Sequence, residues 1–448
     1  MNYYDKKIAV LGAGESGVAA AILLAQNGAS VTLLDSAAPD KLRSAAAKIA
    51  PHHISLLAGS AADGDPTHYD LGILSPGIDP AVELVRNFSK KGTELIGELE
   101  LSFSLCCKPV VAITGTNGKT TTTELVAKML NACGVRTLAG GNLSPAFAAI
   151  VHKSHELDLM TLEVSSFQLE SIRTFRPKVA VWLNMTPDHL DRYHSLAEYR
   201  DAKLRVFEFQ TEEDFAVVNF CDDLPPLKAK KISFSATSFG ADFEFHENTI
   251  FYHGAPVVKM TDTNLRGLHN AENLMAALGT GLSLGLSFNQ MTPPLCAYKP
   301  LPHRCERVTT VNGVEYVNDS KATNLDAMEK ALQSESRPVV LIAGGKDKGF
   351  EFDSVTPLVA QKVRHAVLIG EMADRIANCW GTKVSCMKAI SLADAVGIAH
   401  AAACPGDVVL FSPGTSSFDM FKSYADRGNQ FRDLVLGLPG DSQPHEAN

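Results

Sequence analysis

The sequence predicts an α/β protein of three domains: a Rossmann-like N-terminal domain, a P-loop-type central domain and a Rossmann-like C-terminal domain. Three observations predict it. An apolar run at 7–11 stops at the glycine-rich turn Gly12-Ala13-Gly14-Glu15-Ser16-Gly17. A second run, Val110-Val111-Ala112-Ile113-Thr114, stops at Gly115-Thr116-Asn117-Gly118-Lys119-Thr120-Thr121, and a helical pattern follows through Leu125, Val126, Met129 and Leu130. Beyond residue 313, apolar runs at 314–319, 338–345, 366–370 and 407–412 alternate with helical segments, which reads as a parallel sheet buried on both faces.

A chain of 448 residues accommodates several domains. The expected spans are 1–97, 98–300 and 301–448, with a linker stiffened by Pro300 and Pro302 before the last. Hydrophobic content of 45% and charged content of 20% are those of a soluble globular protein. No apolar run approaches the ~20 residues of a membrane span, and no basic stretch precedes a signal-type segment. Nine scattered cysteines without a CxxC pair suit a reduced, cytoplasmic setting. A net charge of -9 without a long basic run argues against nucleic acid and leaves anions to local sites.

In the first domain, a helix to about residue 28 and a strand at 30–34 ending at Asp35 complete a βαβ start, moderately specific for a diphosphate-containing nucleotide. The run at 71–74 leads into Ser75-Pro76-Gly77-Ile78, either a plain turn or a second wall of the same crevice. In the second domain, backbone N–H groups and a helix N-terminus would face a phosphate, Lys119 would neutralise it and the Thr120 hydroxyl would hold Mg²⁺. Ile113 stands where the strict phosphate-loop pattern has glycine. Strands are expected at 157–164 and 179–184. Short alternating runs from 214 to 258 suggest a β-rich layer, and a helix follows at 270–284.

Polar residues after strand ends are the candidates for chemistry. Glu163 closes one strand and either holds Mg²⁺ or caps the next helix. His189, after the following strand, is a second metal candidate, and lone histidines are commonly structural. Lys203 lies on a helix, where the plain reading is a solvated lysine. Asn270 and Asn273 open a helix as N-caps or nucleotide contacts. Arg304 could grip a phosphate bidentately. Asp319-Ser320-Lys321-Ala322-Thr323 gathers acid, base and hydroxyl after the third domain's first strand, and similar clusters lie at 344–350 and 412–418. The tail after Leu438 reads as frayed.

Five segments occur in order: Gly115-Thr116-Asn117-Gly118-Lys119-Thr120, Glu163-Val164-Ser165-Ser166-Phe167-Gln168, His269-Asn270-Ala271-Glu272-Asn273, Pro302-His303-Arg304 and Asn318-Asp319-Ser320-Lys321-Ala322-Thr323-Asn324. From Gly12 to Tyr424 the chain resembles the Mur ligase family, the ATP-dependent amino-acid ligases of bacterial peptidoglycan synthesis. The Asp-Ser-Lys-Ala-Thr-Asn run, Asp188-His189-Leu190-Asp191-Arg192-Tyr193 and the short first domain resemble its D-glutamate-adding branch. The resemblance implies a cytoplasmic enzyme, monomeric, that joins D-glutamate to UDP-N-acetylmuramoyl-L-alanine through an acyl phosphate. It implies that Gly14, Glu15, Ser16, Asp35, Ser36, Ser75, Gly77 and Asn142 bind the UDP substrate. Gly115 to Thr121, Asn273, Arg304 and Asp319 would bind ATP. Thr120, Glu163, His189 and Lys203, the last as a carbamate, would hold two Mg²⁺ ions. Lys119, Glu163, His189, Lys203 and Lys321 would be catalytic. Thr323, Lys348, Ser417 and Tyr424 would hold D-glutamate; Tyr424 stands where the family often has Phe.

A nicotinamide oxidoreductase would use Gly12 to Asp35 and leave Lys119, Glu163 and the third domain without a role. A nucleotide-driven switch would need no small-molecule clusters after the third domain's strands. Other members of the same family, or a folylpolyglutamate synthase-like enzyme, are separated from the first reading by resemblance alone.

Overall fold

The protein is described here from a computed structural model covering residues 2–79, 81–188, 192–299, 302–347, 350–440 and 442–444. Its chain divides into two compact units. One comprises Met1–Met185, Arg192–Val258 and Glu272–Cys296. The other comprises residues 186–191, 259–271 and 297–448.

The first unit holds two sheets. Strands β1 (Lys7–Leu11), β2 (Ser30–Asp35), β3 (Ser55–Ala58), β4 (Leu71–Leu74) and β5 (Leu95–Gly97) form a wholly parallel sheet in the order β3-β2-β1-β4-β5. The order reverses beside β1, and ligands of open parallel sheets bind outside the carboxyl ends of strands at such a switch point. The turns after β1 and β4 lie there. The second sheet is built from β6 (Val110–Thr114), β7 (Thr137–Gly141), β8 (Leu159–Glu163), β9 (Val179–Trp182), β10 (Phe215–Asn219), β11 (Lys230–Ser235), β12 (Phe243–His246), β13 (Thr249–Tyr252) and β14 (Ala255–Lys259). Its order is β14-β13-β12-β11-β10-β9-β6-β8-β7. The segment 214–258 is therefore not a separate layer. Strand β10 pairs in parallel with β9 and extends the central sheet, and only beyond β12 does the chain reverse. That reversal is a two-residue turn with both Glu247 and Asn248 at positive φ, the geometry that matches the strand twist.

Central strands are buried along their whole length, as β6 shows, which explains their unbroken apolar runs. The helix Glu15–Gln26 of the first sheet packs on the helix Phe147–Ile150 of the second, and apolar residues of both sheets share one core. Between the sheets runs the helix Glu98–Leu105. Burial raises the Glu98 carboxyl to about 7, while its Oε1 accepts from the Ala148 amide at 2.6 Å and the Ser102 hydroxyl at 3.1 Å. Glu100 is fully buried and its two oxygens accept from the amides of Arg173, Thr174 and Phe175 and from the Thr174 hydroxyl. One side chain thus accepts from three successive backbone amides of a loop, including that of the buried Phe175.

The second unit has a sheet of β15 (Glu306–Val311), β16 (Val314–Asn318), β17 (Val339–Gly344), β18 (Val363–Ile369), β19 (Ser385–Lys388), β20 (Val408–Phe411) and β21 (Ser442–Pro444) in the order β19-β18-β17-β20-β16-β15-β21. The expectation of an all-parallel sheet opening at residue 314 needs correcting. Strand β15 precedes it and pairs antiparallel with β16, and the backbone of β21 pairs antiparallel with β15, so the tail is not simply frayed. Two antiparallel strands close an edge that would otherwise offer unpaired backbone groups. Among the described residues no helix is long and apolar enough to cross a membrane, and the nine cysteines are free thiols.

The Glu100 arrangement gives a stability prediction. Glu100→Ala leaves the Arg173, Thr174 and Phe175 amides without this acceptor, and the buried one, on Phe175, costs roughly 1–3 kcal/mol when orphaned. The urea midpoint followed by circular dichroism should fall clearly, and less for Glu100→Gln, which keeps one acceptor oxygen. A midpoint unchanged in Glu100→Ala would show that the clamp contributes nothing.

Candidate functional site

In the first unit the loop 115–118 joins β6 to the helix Lys119–Ala132. Gly118 is at φ +83°, and a Cβ on it would lie 2.4 Å from the Asn273 side-chain oxygen, so glycine is required for both conformation and space. Asn273 also accepts from the Thr122 hydroxyl at 3.1 Å, which ties the helix opening at Leu268 to the loop. The Lys119 ammonium donates to the carbonyls of Gly115 (3.0 Å) and Thr116 (2.8 Å) and so stands over the loop. Asn184 fixes the loop from the neighbouring strand end. Its oxygen accepts from the Asn117 amide at 2.9 Å, and its NH₂ donates to the Asn117 carbonyl at 3.1 Å.

Glu163 ends β8, adjacent to β6, and is buried at 4% exposure. The Thr120 hydroxyl donates to one of its oxygens at 2.6 Å and the Asn142 amide donates to the other at 2.7 Å. A helix-capping role is not what the geometry shows: the helix Ser166–Leu169 is capped by Ser165 in a reciprocal box with Gln168. A carboxylate and a hydroxyl beside a phosphate loop are hard oxygen donors of the kind Mg²⁺ takes, one or two carboxylates completed by phosphates and water, so the residues fit the ion. Among the described residues no group of three or more His, Cys, Asp or Glu side chains is placed to hold a metal by itself. His189 lies outside the described residues.

Lys203 departs from the plain reading of a solvated lysine. It is 1% exposed, its Nζ donates to the Gly115 carbonyl at 2.8 Å, and it stands 4.6 Å from the centre of the Tyr199 ring. The Tyr199 hydroxyl is 3.4 Å from that of Thr116. Burial of an ammonium favours its neutral amine.

The turns expected to hold the UDP group converge at the carboxyl ends of the first sheet. Gly14 precedes the helix that Glu15 and Ser16 open. Asp35 accepts from the amides of Ala13 and Ala37, both at 2.8 Å, and so joins the first turn to its own. Ser36 donates to Asp63 at 2.6 Å. The Ser75 amide donates to the Leu11 carbonyl, which seats the 75–77 turn beside β1, and Gly77 has open space around its Cα. Glu15 in turn accepts from Ser144, two residues beyond Asn142, at 2.6 Å. The first-sheet turns and the Glu163 region are thereby linked.

In the second unit Asp319 follows β16. Burial raises its carboxyl to about 7, against hydrogen bonds from the Ser412 hydroxyl (2.8 Å) and the Cys305 amide (3.2 Å) and the nearby Arg304 charge, which favour the anion. Lys321 places its ammonium 3.9 Å from the centre of the Tyr424 ring, and Ser417 is buried on the loop after β20. Thr323 is half-buried on the same turn as Lys321. Lys348 lies outside the described residues.

One residue not singled out from the sequence holds these loops together. Arg427 is completely buried, on the helix that Tyr424 opens. It donates to the Ser320 hydroxyl (3.0 Å) and carbonyl (2.8 Å) and to the carbonyls of Thr415 and Ser416. Burial lowers its guanidinium to about 10. The signal was present: Arg427 occupies the stripe position of Phe431 and Val435, where an apolar residue is expected. Asn184 and Tyr199 were also missed as loop supports, and nothing in the residues around them distinguishes them beforehand.

Three family descriptions match the chain: "Mur ligase MurD-like, N-terminal domain" over residues 6–97, "Mur ligase middle domain" over 113–281 and "Mur ligase, glutamate ligase domain" over 303–414. The chain is 40% identical over 447 residues to the UDP-N-acetylmuramoylalanine--D-glutamate ligase of Geotalea uraniireducens, covering 98% of this chain and 99% of that one. It is 41% identical over 447 residues to the same-named ligase of Trichlorobacter lovleyi, covering 98% and 100%. The solved UDP-N-acetylmuramate-alanine ligase of Thermotoga maritima has the same fold, with a TM-score of 0.62 at 16% identity over 96% of this chain and 99% of that one. With all three sheets matched by the family and full-length relatives at this identity, the chain belongs to the Mur ligase family.

Proposed function

We propose that this protein is an ATP-dependent ligase that joins D-glutamate to UDP-N-acetylmuramoyl-L-alanine in cytoplasmic peptidoglycan precursor synthesis, acting as a monomer. The observation that carries the reaction class is the Thr120–Glu163 pair beside a phosphate loop, and full-length similarity to D-glutamate ligases supports the substrates. Residues 1–97 would bind the uridine diphosphate, 98–300 the ATP phosphates and 301–448 the amino acid.

A carboxylate does not condense with an amine in water, because it is a poor electrophile. Phosphorylating the L-alanyl carboxylate gives an acyl phosphate, whose phosphate the D-glutamate amine displaces. Here Lys119 would neutralise the transferring phosphoryl group, and the backbone N–H groups of 115–120 would orient it. Thr120 and Glu163, with His189, would hold Mg²⁺, which when bound supplies charge neutralisation between the γ-phosphate and the incoming carboxylate. Gly14 to Ser16, Asp35, Ser36, Ser75 and Gly77 would hold the nucleotide end of the substrate, and Asn142 its sugar. Asn273, Arg304 and Asp319 would contact ATP. Lys321, Thr323, Lys348, Ser417 and Tyr424 would hold D-glutamate. Its two carboxylates call for cations and neutral donors, which these residues supply. Holding three anionic substrates in line is an orientation effect that reaches ~7–11 kcal/mol.

Lys203 would carry CO₂ as a carbamate. A neutral buried amine is the form that adds CO₂, and the N–H a carbamate retains is enough to keep the bond to the Gly115 carbonyl.

Lys119→Ala should lower turnover by roughly 10³-fold with the urea midpoint preserved, since the charge acts on the transferring phosphoryl group; phosphate release at the wild-type rate would remove the phosphate-loop assignment. Lys203→Ala should be nearly inactive and partly rescued by formate, which returns a carboxylate to the cavity. Full activity without formate would end the carbamate proposal. Phosphate release measured with UDP-N-acetylmuramoyl-L-alanine and a panel of amino acids should be fastest with D-glutamate; faster turnover with L-lysine or diaminopimelate would overturn the specificity.

A further inference from the structure

The candidate residues of the second unit follow the carboxyl ends of its strands. At the opposite, amino-terminal ends of β17 and β18 lies a separate cavity of about 430 Å³. At ~3.3 Å per residue the six residues of β17 put the two ends roughly 20 Å apart. Arg337, Lys362 and Arg364 line the cavity with Ser336 and Gln361, and no carboxylate is among its lining residues.

The three cations are anchored but not consumed. Arg337 reaches Glu315 and Glu335 through Nη2 alone, and Arg364 reaches Asp407 through Nη1 alone at 2.9 Å. Lys362 donates once, to the Glu335 carbonyl at 2.8 Å. A guanidinium has five N–H donors and an ammonium three. Among the described residues, Nε and Nη1 of Arg337, Nε and Nη2 of Arg364, and the side chains of Ser336 and Gln361 therefore have no partner. The acids sit behind the cations. The Glu315 and Asp407 side chains are 6% and 4% exposed, against 36% and 42% for Arg337 and Arg364. An approaching anion meets the Nε/Nη2 fork of Arg364 and single N–H donors of Arg337 and Lys362, held in place from the rear.

We propose that this cavity is a second anion site that binds a compact polyanion of the diphosphate class. The free Nε/Nη2 edge of Arg364 matches one phosphoryl group bidentately, single donors of Arg337 and Lys362 reach the other, and Lys362 supplies a third charge between the two arginines in sequence. A single carboxylate or chloride would leave most of these donors unused.

The test is equilibrium dialysis of the full chain with labelled inorganic pyrophosphate, the two expected nucleotide sites being filled with saturating ADP and UDP. One equivalent should remain bound. Ser336→Asp combined with Gln361→Glu adds two carboxylates to the lining without removing any existing ion pair, and should weaken that equivalent at least tenfold. Lys362→Gln, a milder change, should weaken it in the same direction. Turnover without pyrophosphate should match wild type in both variants, which also reports that they fold. Absence of a residual equivalent in the wild type, or its retention at unchanged affinity in either folded variant, would overturn the proposal.

Discussion

The register of three neighbouring strands is the constraint on which the phosphate-loop region depends. Ile113 of β6 and Gly141 of β7 both pair with Glu163 of β8. This puts the carboxylate level with the start of the loop on one side and with Asn142 on the other. A Cβ on Gly141 would lie 2.4 Å from the Glu163 carbonyl, so the approach of β7 requires glycine. Because side chains alternate faces, a slip of one residue would carry Glu163 to the opposite side of the sheet. Its two hydrogen bonds to Thr120 and Asn142 would then be lost together. The carboxylate is placed by backbone pairing, and the side-chain bonds only set its final orientation.

The second unit solves the same problem by other means. Its polar loops follow the neighbouring strands β16 and β20. The Ser416 carbonyl accepts from the Lys346 amide at 2.9 Å across an isolated bridge, and Arg427 gathers it with the carbonyls of Ser320 and Thr415. A guanidinium suits this because it presents several donors in a fixed plane and stays cationic even with its pKa lowered to about 10. Carbonyl dipoles replace the water the charge has lost. The Tyr424 ring, one turn earlier on the same helix, faces the Lys321 ammonium, so one helix end bears on both the backbone and the side chains of the 319–323 turn.

Much of this was legible in the sequence. The parallel strands announce themselves because burial on both faces demands unbroken apolar runs, and the residues that follow them are polar for want of a neighbour to cover them. Strand β15 was readable but not read. Asn312-Gly313 is a strong two-residue hairpin signal, and both residues take positive φ between Val311 and Val314. The burial of Lys203 was not legible, because its helix carries no pattern that separates a lysine folded under the phosphate loop from one in water. Nor was the continuation of the central sheet through β10 to β14. Short alternating strands look alike whether they extend an existing sheet or start another, and only pairing with β9 decides.

The strand order of the last sheet bears on how the chain can fold as it is made. Strand β20 lies between β16 and β17, which do not pair with each other. Until residue 411 has left the ribosome, two apolar strands face an empty slot. Both slot edges present unpaired backbone groups throughout the synthesis of the intervening helices and of β18 and β19. Completion waits on a contact far along the sequence, which slows folding and lengthens exposure to aggregation. A nascent chain truncated anywhere between 345 and 407 should thus be a natural substrate for holdase chaperones, whereas the first unit's β1–β5 sheet, finished by residue 97, has no such wait.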